Sequence, residues 1–144
     1  MPVSALNIML VEDELADMHL IRFALNNGEL PVSLHHACDG LDAVQYLEQH
    51  PATLPDLILL DLNMPRMDGK EFLKTVKHHP MWSQIPVVVL TTSDAERDVL
   101  DVYRLGAAGY VTKPSDMTVF VDAMHHLKHY WMQTVRLPGR LLSA

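Results

Sequence analysis

Short apolar runs separated by longer amphipathic stretches set the rhythm of this chain. Leu6–Val11 (LNIMLV), Leu57–Leu60 (LILL), Val87–Leu90 (VVVL) and Gly109–Thr112 (GYVT) each span four to six residues. Runs of that length without polar alternation predict strands covered on both faces, as in parallel sheets. Val32–Ala37 (VSLHHA), between Pro31 and the Asp39–Gly40 turn signal, predicts a weaker fifth strand.

The intervals carry helical spacing. Met18, Ile21 and Leu25 recur between Glu14 and Asn26, with Gly28 as a stop. Ala43, Val44 and Leu47 share one side of Leu41–Glu48, and Leu73 and Val76 share one side of Lys70–His78. Asp94 is the expected N-cap of Ala95–Leu105, where Val99, Val102 and Tyr103 share a face and Gly106 ends the run. Ser115 is expected to cap a last helix carrying Met117, Phe120, Val121, Met124 and Leu127. Strand and helix thus alternate five times. The alternation predicts an α/β fold: a doubly wound, five-stranded parallel sheet with helices on both faces.

Composition narrows the class. The 144 residues are 49% hydrophobic and 20% charged, which suits one domain with a substantial core. No apolar run approaches the roughly 18 residues of a membrane span, and MPVSALN lacks the basic flank of a signal peptide. The one cysteine, Cys38, excludes an internal disulfide and fits a reducing cytoplasm; it is expected to be a small buried hydrophobe. A net charge of −7 disfavours nucleic acid, whose phosphates demand clustered Lys and Arg. The expectation is a small acidic domain in the cytoplasm, bound to neither membrane nor nucleic acid.

Candidate chemistry gathers at the carboxyl ends of the predicted strands, where open α/β sheets bind ligands. The first strand runs into Glu12 and Asp13, the third into Asp61 and then Asn63, the fourth into Thr91 and Thr92, and the fifth into Lys113. Three clustered carboxylates repel one another and demand a cation or raised pKa values. Their hard oxygens suit Mg²⁺, with Mn²⁺ as a substitute. A metal touching Asp61 also bridges to a phosphoryl group on it, Lys113 offsets the remaining charge, and Thr91 donates a hydrogen bond. This is the equipment of phosphoryl transfer to a carboxylate.

Taken singly, these residues have plainer explanations. Acidic pairs such as Glu12–Asp13 commonly begin a helix, Lys113 alone reads as a surface lysine, and Tyr110 as a core aromatic. Only their coincidence points to a site. The nine histidines do not: His125 and His129 stand at i, i+4, but no cysteine or HExxH glutamate completes a zinc set. His35–His36 and His78–His79 read as surface or boundary residues.

The ordered set of motifs resembles the receiver domain of two-component response regulators, the CheY-like family, across about residues 5–130. The resemblance rests on LVEDE, LLDLNMPRMDG, VVVLTTSD and GYVTKP, with 30 positions from Asp61 to Thr91 and 22 from Thr91 to Lys113. It implies a flavodoxin-like sheet of order 2-1-3-4-5 with five helices. It implies that Asp61 is phosphorylated, that Asp13 binds Mg²⁺ directly and Glu12 through water, and that Asn63 contributes its backbone carbonyl. Thr91 and Lys113 would contact the phosphoryl group, with Lys113–Pro114 cis, and Tyr110 would be the aromatic switch. Asn63 and Ser93 would tune autodephosphorylation, and Thr92 stands where a smaller alanine is common.

Residues 131–144 read as a tail, too short for an output domain, so signalling by altered contacts is expected. Tyr130, Trp131, Val135, Leu137, Leu141 and Leu142 would expose apolar area and mark an interface, unless the tail folds back on the last helix. YWMQTVRLP resembles stand-alone regulators paired with bacterial and cyanobacterial phytochromes. That resemblance implies a sensor histidine kinase of phytochrome type as phosphodonor and a homodimer built with the tail. The protein is then a phosphoacceptor catalysing its own phosphotransfer and dephosphorylation, and a signalling protein before it is an enzyme. The alternatives are a phosphorylation-independent dimerisation module and a haloacid-dehalogenase-type phosphatase. The second wants an aspartate where Asn63 stands.

Overall fold

The computed structural model describes residues 5–28 and 30–141. All five predicted strands form: β1 (Leu6–Val11), β2 (Val32–Ala37), β3 (Leu57–Leu60), β4 (Val87–Thr91) and β5 (Gly109–Thr112). They pair in parallel in the order β2-β1-β3-β4-β5, with Val11 opposite Ala37 on one side and Leu60 on the other. Helices α1 (Leu15–Asn26), α2 (Gly40–Gln49), α3 (Gly69–His78), α4 (Glu96–Arg104) and α5 (Met117–His129) follow the strands. Side chains alternate along a strand, so β1 sends Met9 and Val11 to one face and Ile8 and Leu10 to the other. The first face packs on α2, α3 and α4 through Leu47, Phe72, Val76 and Val102. The second packs on α1 and α5 through Ile21, Leu25, Phe120 and Met124. β3 and β4 are buried throughout, whereas the edge strands β2 and β5 are only half-buried. That position explains the polar admixture of VSLHHA.

Helix starts depart from the sequence expectation in two places. Asp116 rather than Ser115 caps α5, accepting from Val119 N at 3.0 Å. α4 begins at Glu96 without a side-chain bond from Ala95 or Asp94; Ser93 Oγ accepts from Ala95 N instead. Tyr103 is exposed and only Val102 of α4 is buried. One residue turns a helix by about 100°, so position 103 leaves the stripe that position 102 occupies. Cys38 is exposed rather than buried. Its N–H is taken by Asp42 Oδ2 at 2.9 Å as the chain leaves the sheet for α2.

The segment after α5 folds back. A wide turn at Tyr130–Thr134 leads to a sixth, one-turn helix α6 (Pro138–Leu141). Leu137 is buried in the α1–α5 core, and Trp131, Met132 and Val135 pack against it. Arg140 Nη2 donates to Ala5 O at 3.0 Å, and its Nε lies 3.9 Å from Asp56. These positions cover the domain's own core, unlike the expected exposed tail; Tyr130 remains exposed, and Leu142 lies outside the described residues.

Asp39 joins α2 to the loop that carries Asp61. Its Oδ1 accepts from Asp42 N at 2.9 Å, and both oxygens are held by the Arg66 guanidinium at 2.6 and 2.9 Å. Arg66 itself takes a left-handed backbone, φ 63°. The Arg66 bond, with help from the Asp42 N–H, holds the Asp39 carboxyl below the usual range despite its burial. Asp39→Ala is therefore expected to lose about 1 kcal/mol of cap stability, with less from the screened ion pair. Because the folded-state pKa is depressed, this contribution exists above the unfolded carboxyl pKa and is lost as pH falls through the folded value. Urea melts of parent and variant at neutral and acid pH should show the difference shrinking in acid; a constant difference would contradict the linkage.

Candidate functional site: the carboxyl edge of the sheet

Parallel pairing delivers the ends of β1, β3, β4 and β5 to one edge. Asp61 N donates to Val11 O at 3.0 Å and Lys113 N to Thr91 O at 2.7 Å, so the ladder continues one residue past each strand. Glu12, Asp13 and Asp61 each place a carboxylate oxygen within 4.8 Å of the others. Glu12 and Asp61 are buried and Asp13 is exposed. Lys113 Nζ lies 2.5 Å from Glu12 Oε1, 2.9 Å from Asp17 Oδ2 and 4.0 Å from Asp61 Oδ2. Thr91 ends β4 with no solvent exposure, while Asn63 and Thr92 are exposed. Tyr110 is half-buried in β5, and its hydroxyl donates to Ser93 O at 2.7 Å.

The sequence around Asp61 is shaped by close backbone approach. A Cβ on Gly69 would lie 2.5 Å from Asp61 O and 2.7 Å from Leu62 Cα, and Gly69 N donates to Leu62 O at 3.0 Å. Glycine is thus required where α3 starts against the Asp61 backbone. Gly40 plays the same part at α2, where a Cβ would meet Met67 O at 2.7 Å.

The cluster sets three carboxylates against one buried ammonium. Burial pushes the Glu12 carboxyl up to about 7; the Lys113 bond pulls it down without reversing the shift, and Asp61 repels its charge further. Burial disfavours the Lys113 ammonium, yet its bonds to Glu12 and Asp17 outweigh this and raise its pKa. Hard oxygen donors on three residues fit a divalent cation, and this is the one such ligand group among the described residues.

Two features lay beyond the sequence reading, and one expectation is overturned. Asp17, in the first turn of α1, shares Lys113. His36 Nε2 lies 2.7 Å from Glu12 O, fixing the backbone under the acidic pair. The Lys113–Pro114 bond is trans rather than cis, the form favoured for X–Pro bonds by about 0.5–1 kcal/mol. Strand-end position gives no signal for Asp17, which lies in the first turn of α1. His125 Nε2 lies 2.7 Å from Asn27 O and His129 Nδ1 lies 3.1 Å from Gln133 Oε1.

The model of the response regulator receiver domain matches residues 8–125. The chain belongs to the response regulator receiver family. This receiver is 39% identical over 136 residues to response regulator Rcp1 of Synechocystis sp., covering 92% of each chain. The crystal structure of phosphorylated cyanobacterial phytochrome response regulator RcpA matches it at 40% identity and a TM-score of 0.88, over 94% of this chain and 99% of that one. Mn²⁺-bound Rcp1 matches at 39% identity and a TM-score of 0.85, over 92% and 98%. The receiver is thus a signalling protein related to phytochrome response regulators. No helix among its described residues is long and apolar enough to cross a membrane.

Proposed function

We propose that this receiver, in the cytoplasm, takes a phosphoryl group from the phosphohistidine of a phytochrome-type sensor histidine kinase onto Asp61. An Asp61 carboxylate oxygen attacks phosphorus, the new P–O bond forms as the P–N bond breaks, and the imidazole nitrogen keeps the electron pair. Water later attacks the acyl phosphate and returns the Asp61 carboxylate and inorganic phosphate. Lys113 and Thr91 hold the phosphoryl oxygens, and Asn63 and Ser93 flank the path of the attacking water. A divalent cation, Mg²⁺ with Mn²⁺ as substitute, neutralises developing phosphoryl charge when held by Asp13, Asp61, the Asn63 carbonyl and, through water, Glu12. Occupancy of Asp61 draws Thr91 inward, releases Tyr110 to turn, and reshapes the α4–β5–α5 face. That face, with the segment after α5, meets partners including a second copy of this chain.

The observation that supports this reading is the meeting of Glu12, Asp13 and Asp61 within 4.8 Å beside Lys113. Labelling with acetyl phosphate and Mg²⁺ tests it: the parent should take up about one phosphoryl group per chain, and Asp61→Asn none. Label persisting in Asp61→Asn, or label without divalent cation, would overturn it. Sedimentation at several concentrations tests the second copy; a monomer throughout, with and without phosphorylation, removes that part.

A further inference from the structure

Ser93 stands two residues past Thr91, between β4 and α4, and each of its polar groups is engaged. Its N–H approaches Thr91 Oγ1 at 3.5 Å and its carbonyl accepts the Tyr110 hydroxyl at 2.7 Å. Its hydroxyl donates to Asp98 Oδ2 at 2.6 Å while accepting from Ala95 N at 3.3 Å. Asp98 lies in the first turn of α4, and its other oxygen accepts from Lys70 Nζ at 2.7 Å. The same ammonium reaches Asp101 Oδ2 at 3.0 Å. Lys70 directly follows Gly69, whose backbone lies against Asp61 O. A continuous line therefore runs from the Asp61 backbone through α3 to Lys70, Asp98 and Ser93, and ends on Thr91 and Tyr110.

Stability alone gives this line little to do. Lys70, Asp98 and Asp101 are each about one-third exposed, and ion pairs at such exposure contribute about 0–1 kcal/mol. Direction is another matter. The Ser93 hydroxyl has one proton, and Asp98 takes it in a short, charge-assisted bond. Lys70, then Ser93, hold the Asp98 carboxyl below its ordinary range, so this acceptor stays ionised. Ser93 presents its carbonyl to Tyr110 from the same residue that Asp98 anchors, so an orientation fixed at α3–α4 is carried to the Tyr110 ring.

We propose that Lys70 and Asp98 are positioning residues for the chemistry at Asp61: through Ser93 they hold the Thr91–Ser93 segment and the Tyr110 hydroxyl, and so set the lifetime of the aspartyl phosphate. The proposal rests on reading Asp61 as the phosphoacceptor. Loosening this segment admits water to the phosphoryl group, so loss of either residue shortens the lifetime. A bulky apolar replacement of Lys70 has the same effect as removal of the Asp98 carboxylate, because each breaks the line at one point.

The test uses Lys70→Met, Asp98→Ala and the double variant, with Lys70→Arg as the conservative control. Two quantities are read: the Tyr110 ring resonances of the unphosphorylated receiver, assigned with Tyr110→Phe, and the half-life of the acetyl-phosphate label. Both single variants should move the Tyr110 resonances and shorten the half-life about threefold or more, and the double variant should go no further than the more affected single one. Lys70→Arg should restore both, and urea midpoints near the parent's separate positioning from general loosening. An unmoved Tyr110 signal, or a half-life unchanged or lengthened, overturns the proposal. Should the parent take no label, the Asp61 reading fails on its own, and the Tyr110 spectrum still decides whether the two residues hold the segment.

Discussion

Lys113→Ala is expected to slow phosphorylation of Asp61 by about a hundredfold, the usual consequence of removing one preorganised charge from a site where charge develops. The same substitution leaves Glu12 buried without its partner 2.5 Å away, and breaking a buried pair from one side costs about 3–5 kcal/mol. Lys113 and a divalent cation answer the same negative charge, so the variant should depend on the cation more than the parent does. A ligand at a hundred times its dissociation constant stabilises by about 2.7 kcal/mol, and the variant should reach that stabilisation at lower Mg²⁺ than the parent. Thermal melts across a Mg²⁺ series, with an EDTA arm, measure this. Equal Mg²⁺-induced shifts in parent and variant would mean that the ammonium and the cation do not share a site.

Gly69→Ala is expected to be the most damaging single methyl in the molecule. The added carbon would lie 2.5 Å from Asp61 O and 2.7 Å from Leu62 Cα, and both are backbone atoms that cannot rotate away. Overpacking of this kind costs about 1–3 kcal/mol, and relief requires α3 to draw back from the Asp61 backbone. Stability and phosphorylation should therefore fall together. Chemical denaturation with parallel acetyl phosphate labelling checks it; a variant as stable as the parent and equally labelled would show that the α3–Asp61 contact is slack.

The fold was readable because its signals are local. Runs such as LILL and VVVL are too short for helices and too apolar for a solvated face, and all became buried central strands. Strand ends then brought Glu12, Asp13, Asp61, Thr91 and Lys113 to one edge without any knowledge of contacts. What escaped were choices between adjacent residues and pairings across long separations. Ser115 and Asp116 are both good caps, and only the path of the chain selects Asp116. Cys38 looked apolar, yet it falls one residue after β2 ends. Asp39–Arg66 and Lys70–Asp98 join residues 27 and 28 apart on different helices and loops, and no periodicity announces such pairs. The tail was ambiguous for the opposite reason: its apolar residues fit a partner or their own domain equally well, and Leu137 is settled only by the α1–α5 core it enters.

The acidic cluster is built unequally. Glu12 is gripped from four directions: its N–H by Ala37 O, its carbonyl by His36, one carboxylate oxygen by Lys113 and the other by Glu14 N. Asp13, its immediate neighbour, is exposed, as is Asn63, two residues past Asp61. The result is an anvil facing a doorway. Small phosphodonors and attacking water are therefore expected to arrive on the exposed Asp13–Asn63 side, and bulk added there should change how fast they do so. Changes behind Glu12, at His36 or Asp17, should alter how well they are held once inside.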